Sequence, residues 1–295
     1  MTKISPCTKT YTLNSGYTIP AIGLGTFVAD DGKESEVGDS VKFALQNGYR
    51  HIDAAMYYKN EEDVGRGIRE SRVPREDIFV TTKNWNDERD DIEGALNASL
   101  ARLGLEYLDL YLIHWPVSWK KGTEDVDETL DYITVYKKLQ PLVKAGKVRS
   151  IGISNYSQPK IEKLLADPEV TIKPSVLQIE AHPLLPQPEL FDYLTKENII
   201  VESYSPLGAN NAPLLRNETI IEIAEKNGVE PAMLLISWGV QRGAVVLPKS
   251  VKEARIISNL NTFTIPEDDF ATLNNLANVE GVHRVVNPPW NDFVN

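Results

Sequence analysis

Eight strand-like runs alternate with helical periods along the 295 residues, and this predicts a (β/α)8 TIM barrel with an N-terminal β-hairpin and two extra helices. The runs are rich in Val, Ile and Leu, as parallel strands covered on both faces should be, and parallel strands need helical crossovers. Three of them turn polar at their carboxyl ends, where barrel enzymes keep their chemistry.

The hairpin comes first, with Tyr11-Thr12-Leu13 turning at Asn14-Ser15-Gly16. Strands are expected over 21–25, 50–53, 78–83, 108–114, 148–154, 175–180, 199–204 and 244–248. The clearest helix has Ile92, Ala95, Leu96, Ser99, Leu100 and Leu103 on one face and stops at Gly104, a left-handed C-terminal cap. Other helices are expected over 36–46, 61–70, 128–144, 160–165, 188–195, 219–226 and 251–259. Pro141 should kink the period over 128–144 or end it early. Residues 231–241 and 266–276 are helical but fall outside the alternation, so they decorate the barrel. The rival fold, an open doubly wound sheet, is weakened because Gly23-Leu24-Gly25 lacks the third glycine of a dinucleotide fingerprint. No linker or low-complexity stretch divides the chain, so residues 1–295 read as one domain.

With 31 basic and 42 acidic residues the net charge is −11 and the pI about 5.0, which argues against nucleic acid or an anionic membrane as partner. A single cysteine, Cys7, excludes an internal disulfide framework and points to a reducing compartment. The first residues have no apolar leader, and no apolar run is long enough to cross a bilayer; the expectation is a cytoplasmic protein. No feature calls for an obligate protein partner.

Asp53, Tyr58, Lys83 and His114 lie at or just beyond the ends of the second, third and fourth strands. Singly, each has an ordinary role, in satisfying a loop backbone or packing at a rim; jointly they point to catalysis. A tyrosine is a poor acid near neutral pH, but an ammonium group within a few ångströms favours the phenolate and lowers its pKa. Lys83 could supply that charge, Asp53 could keep Lys83 protonated and oriented, and His114 could donate to the carbonyl oxygen on which negative charge develops. Such a site reduces carbonyls if a bound cofactor delivers hydride. The rival chemistry, a metal-dependent hydrolase, needs clustered ligands, and His51, His114, His182 and His283 show no metal-ligand spacing.

Gly48-Tyr49-Arg50-His51-Ile52-Asp53-Ala54-Ala55 and the following Tyr58-Lys59-Asn60-Glu61-Glu62-Asp63-Val64-Gly65 carry a family likeness, together with Leu112-Ile113-His114-Trp115-Pro116, Gly152-Ile153-Ser154-Asn155 and Leu247-Pro248-Lys249-Ser250. The chain resembles the aldo-keto reductase superfamily from about Leu13 to Pro289, and Pro213-Leu214-Leu215 and Arg284-Val285-Val286 resemble fungal aldehyde reductase and NADP-dependent glycerol dehydrogenase-type members. The resemblance implies NADPH-dependent reduction of aldehydes and activated ketones, with the catalytic tetrad on Asp53, Tyr58, Lys83 and His114 and Tyr58 as the acid; Tyr57 is its decoy.

The resemblance also implies that Ser154, Asn155 and Gln178 hold the nicotinamide carboxamide and that Tyr204 stacks on the ring. Ser205 and Leu207 would meet the pyrophosphate, Lys249, Ser250 and Arg255 the 2′-phosphate that distinguishes NADP(H), and Asn259 the adenine. Phe27, Trp85, Trp115 and Trp290 would wall an apolar substrate pocket. Phe27 stands where many relatives have tryptophan, and 208–212 begins a short connection where some have a long loop over the cofactor. The alternative function on the same fold is a nucleotide-binding regulatory or structural protein, which would have no need of Tyr58 and Lys83 together.

Overall fold

The computed structural model describes residues 3–28, 34–209 and 212–290. Its centre is an eight-stranded parallel sheet taken in chain order: β1 (Leu24–Gly25), β2 (His51–Asp53), β3 (Phe79–Asn84), β4 (Leu108–Ile113), β5 (Val148–Ser154), β6 (Val176–Glu180), β7 (Ile200–Tyr204) and β8 (Val245–Leu247). Main-chain bonds from Gly23 N–H to Val246 O (3.0 Å), Val246 N–H to Ala21 O (2.9 Å) and Gly25 N–H to Pro248 O (3.0 Å) join the last strand to the first. The sheet is therefore a barrel. The first strand is shorter than its sequence run because 21–23 make only isolated closing bonds. At Gly23 a Cβ would stand 2.6 Å from His51 Nδ1 and 2.7 Å from a Leu247 methyl, so the barrel closes only around a bare backbone.

Helices α1 (Glu34–Gln46), α2 (Glu61–Ser71) and α3 (Ile92–Leu103) follow the first three strands, and Gly104 caps α3 with φ 67° as expected. The predicted helix over 128–144 is two: α4 (Tyr132–Lys137) and α5 (Gln140–Lys144). It starts late because Asp131 caps it, its Oδ1 accepting from Ile133 and Thr134 N–H at 2.8 Å each. It breaks just before Pro141, whose ring is tolerated only in the first turn of the new helix. The outer ring continues with α6 (Gln158–Ala166), α7 (Pro188–Lys196), α8 (Glu218–Asn227) and α10 (Glu253–Asn259). The two extra helices are α9 (Pro231–Gln241) and α11 (Glu267–Glu280), which share a separate apolar cluster with α8 around Trp238 and Leu273.

The hairpin, Thr10–Thr12 paired with Thr18–Pro20, sends Leu13 and Ile19 into the barrel interior against Phe79, Leu110 and Val176. It plugs the amino-terminal end of the barrel and leaves the carboxyl-terminal end for chemistry. A pairing of Ser5–Pro6 with Asn261–Thr262 has no counterpart in the sequence expectations. Among the described residues no helix is long and apolar enough to cross a membrane.

Candidate active site

Asp53 ends β2, and the small Ala54 and Ala55 let the chain turn at once into the 3-10 turn Met56–Tyr58, which closes on Lys59 in the left-handed conformation. Asn60 Nδ2 donates to Thr26 O and Thr26 Oγ1 to Asp53 O, each at 2.8 Å, so the turn carrying Tyr58 is tied to the end of β1.

Lys83, in β3, is fully buried. Its Nζ donates to Asp53 Oδ2 (2.7 Å), Asp53 Oδ1 (2.9 Å) and Ala54 O (2.8 Å), and lies 3.3 Å from the Tyr58 hydroxyl. Burial on its own would lower the Lys83 pKa, but Asp53 and Tyr58 outweigh it and hold the ammonium above its ordinary range. Tyr58 departs from the sequence expectation. Burial, with Asp53 beside it, raises the phenol pKa above 10.0 despite the opposing Lys83 ammonium. The hydroxyl is thus protonated at neutral pH, as a proton donor has to be.

His114 follows β4 and sits with its ring 5.9 Å from that of Tyr58. Burial first, then the nearby Lys83 and Arg89 cations, hold the imidazole well below 6.5, so it is neutral. Its Nδ1 is buried with no hydrogen-bond partner among the described residues, which leaves Nε2 to face the cleft.

Asn155 is left-handed at φ 65°, a conformation asparagine tolerates. Its Nδ2 donates to His114 O (2.9 Å) and Ser154 Oγ (3.0 Å), and its Oδ1 accepts from the Tyr204 hydroxyl (2.7 Å). It braces the histidine and the tyrosine at once. Gln178 Nε2 donates to Asp53 Oδ1 (2.9 Å) and Glu202 Oε2 (2.6 Å), which turns the amide so that its oxygen is the end left for a ligand.

Phe27 meets Tyr58 edge-on at 5.1 Å; Trp85 and Trp115 lie 5.0 Å and 6.4 Å from the His114 ring, and Trp290 packs on Trp115 at 6.4 Å. Two aromatic members were not foreseen. Trp119 lies 5.6 Å from Trp85 and 5.1 Å from Trp290, and Tyr57 stacks on Trp85 at 3.9 Å. The only sequence sign of Trp119 is its position four residues after Trp115, on a loop with no period to orient it.

Glu180, also unforeseen, is completely buried at the end of β6. Its Oε1 accepts from Val285 N–H (2.7 Å) and pairs with His182 Nε2 (2.9 Å), while Oε2 accepts from Val286 N–H (2.8 Å). Burial opposes ionisation, but these donors prevail and hold the carboxyl below its ordinary range. The segment leading to Trp290 is thereby fastened to the barrel.

On the cofactor side, Ser205 is left-handed at φ 50°, and Gly208 N–H closes a turn onto Ser205 O at 2.9 Å around Leu207. Ser250 Oγ accepts from Lys252 N–H at 3.0 Å and makes only a long bond to Lys252 O, at 3.5 Å, and Lys249 and Ser250 face Gly25, Thr26 and Ser40 across a narrow recess. Arg255 is exposed in α10, and Asn259 is buried at its end. Because α10 has only seven residues, the two cations and the hydroxyl matter more here than the helix dipole. Asn210 and Asn211 of the short connection lie outside the described residues. The donor set fits a phosphorylated dinucleotide.

The sequence profile of the aldo/keto reductase family matches residues 21–278. The chain belongs to the aldo/keto reductase family. Aldehyde reductase YPR1 of Saccharomyces cerevisiae is 49% identical over 96% of this chain and 96% of its own length. Glycerol 2-dehydrogenase (NADP(+)) of the same yeast is 46% identical over 97% and 96%. The crystal structure of a Bombyx mori aldo-keto reductase in complex with NADP superposes with a TM-score of 0.88 at 34% identity, covering 95% of each chain. As an aldo/keto reductase, the protein is an oxidoreductase on a (β/α)8 barrel.

Proposed function

We propose that the protein reduces aldehydes and activated ketones to alcohols with NADPH, using Tyr58 as general acid. The observation that carries this reading is the Lys83 ammonium, held between both Asp53 oxygens and the Tyr58 hydroxyl beside a neutral His114. NADPH, when bound, supplies the hydride. Gln178, through its free amide oxygen, and Ser154 with Asn155 would hold the nicotinamide end, with Tyr204 against the ring. Ser205 and Leu207 would meet the pyrophosphate, Lys249, Ser250 and Arg255 the 2′-phosphate, and Asn259 the adenine.

His114 donates from Nε2 to the substrate oxygen and sets its direction. Tyr58 releases its proton to that oxygen as charge builds there, and Lys83 stabilises the phenolate left behind. Asp53 keeps Lys83 charged throughout. The names of the yeast relatives support the reaction class and the cofactor. We place the protein in the cytoplasm, a reading supported by its single cysteine.

The test is a pair of variants. Tyr58→Phe should lower kcat by about two to four orders of magnitude with NADPH binding little changed, whereas Tyr57→Phe should stay active. The reverse pattern would move the acid to Tyr57. The substrate class follows from the walls: Phe27, Trp85, Trp115, Trp119 and Trp290 reward buried apolar surface at about 25 cal/mol per Å² and offer little to replace the water bonds of a sugar. Benzaldehyde-type substrates and keto esters should show higher kcat/KM than xylose or glyceraldehyde, with small polyols oxidised slowly in reverse. A steady-state preference for xylose would refute the apolar pocket.

A further inference from the structure

Beneath the tetrad, inside the barrel, lies a carboxyl that the reaction as described does not use. Glu202 is the third residue of β7, in register with Gln178 of β6 and Val245 of β8. Its side chain is fully buried. Oε2 accepts from Gln178 Nε2 at 2.6 Å, and the second hydrogen of that amide goes to Asp53 Oδ1 at 2.9 Å. One amide therefore bridges two carboxyls, and the second carboxyl has Asp53, Lys83, Tyr58 and His51 as its titratable neighbours.

We propose that Glu202 is a positioning residue for the reduction: uncharged, it fixes the Gln178 amide and through it the Asp53–Lys83 pair, and on ionising it suppresses proton release from Tyr58. The proposal rests on the assignment of Tyr58 as the acid.

Three observations bear on the uncharged state. Asp53 already neutralises the single buried ammonium of this cluster, so a second carboxylate would be an uncompensated buried charge. Glu202 Oε1 has no hydrogen-bond partner among the described residues, a poor setting for an anion. The nearest basic group, His51 Nε2 at 3.4 Å, belongs to an imidazole whose pKa burial pushes down to about 3, so the contact is not an ion pair. In keeping with this geometry, burial first and Asp53 second push the Glu202 carboxyl up to about 8.

Proton donation to the substrate oxygen turns neutral Tyr58 into a phenolate beside Lys83. With Glu202 neutral, the cluster then holds one ammonium and two anions. With Glu202 ionised it holds one ammonium and three anions in a medium that screens charge poorly, so the transition state is disfavoured. A packing role alone would give no reason for the rate to depend on pH in this way.

The test is the single-turnover rate of NADPH oxidation with saturating benzaldehyde from pH 6.5 to 9, for wild type, Glu202→Gln, Glu202→Met and Tyr58→Phe. Wild type should be about tenfold slower at pH 9 than at pH 6.5, since a carboxyl titrating near 8 is about nine-tenths ionised there. In Glu202→Gln, which is uncharged at every pH, the ratio of the two rates should rise about tenfold. Glu202→Met is uncharged too and gives the same readout if the glutamine variant fails to fold. A wild-type rate that is flat over this range, or uncharged variants that keep the wild-type ratio, would overturn the proposal. A fully active Tyr58→Phe would instead overturn the assignment of the acid, so the two failures are told apart.

Discussion

An ammonium group taken out of water costs several kcal/mol unless its partners are fixed in advance, and Lys83 has three fixed oxygens: two from Asp53 and one from Ala54. Asp53, Lys83 and His114 were legible as a group, because three successive strands turn polar at their carboxyl ends, although each residue taken singly has an ordinary structural role. Tyr58 was separated from Tyr57 by resemblance, since spacing by itself does not say which of two adjacent rings turns inward. Glu202 was not legible: a glutamate in a strand ordinarily faces water, and only barrel closure directs it inward. At the cofactor end the residue-level expectation concerns charge. Neutralising Lys249 or Arg255 should weaken NADPH by about 1.5–3 kcal/mol for each charged hydrogen bond lost and affect NADH much less. Fluorescence titration with both cofactors measures this, and equal losses would mean that these cations do not read the 2′-phosphate.

At the scale of elements, α9 (Pro231–Gln241) was legible to the residue because it is a long apolar run opened by a proline, and β5 (Val148–Ser154) because Val148, Ile151 and Ile153 stand between Gly146-Lys147 and Asn155. The paired Ser5–Pro6 and Asn261–Thr262 were not, since two-residue strands leave no period and their partners are far apart in sequence. Strand β6 joins two tasks: Gln178 points at the tetrad, and two residues on, on the same side of the strand, Glu180 grips Val285 and Val286. In Glu180→Gln the amide replaces an ionised acceptor. The loss of one charge-assisted bond is worth about 1.5–3 kcal/mol. KM for benzaldehyde should rise by about tenfold or more while kcat changes little, because the tetrad is untouched. An unchanged KM would show that the segment carrying Trp290 holds its place without this carboxylate.

For the whole molecule the buried carboxyl couples stability to pH. Glu202 titrates at 4.5 as an unperturbed group and at about 8 in the folded protein, so the folded state binds the extra proton between those values. The stability this contributes is fully present below 4.5 and is lost progressively as pH rises to about 8. His51, lowered from 6.5 to about 3, acts in the opposite sense: its contribution is present above 6.5 and is lost as pH falls towards 3. The melting temperature of Glu202→Gln, measured against wild type by calorimetry, should gain ground from pH 4.5 to 8 and hold a constant offset above. A difference independent of pH would mean that the carboxyl is ionised in the fold.

The grip of Glu180 on the chain near its carboxyl end is made on backbone N–H groups. Such a latch is blind to side chains: it accepts any sequence that offers two successive amides at that point. Val286 and Trp290, which the latch delivers to the aromatic wall, are thus free to vary without loosening the attachment. The tail is an interchangeable part on a fixed chassis, and exchanging residues 286–290 should be a more permissive route to new substrate ranges than altering Trp85 or Trp115, which are built into the barrel's own loops.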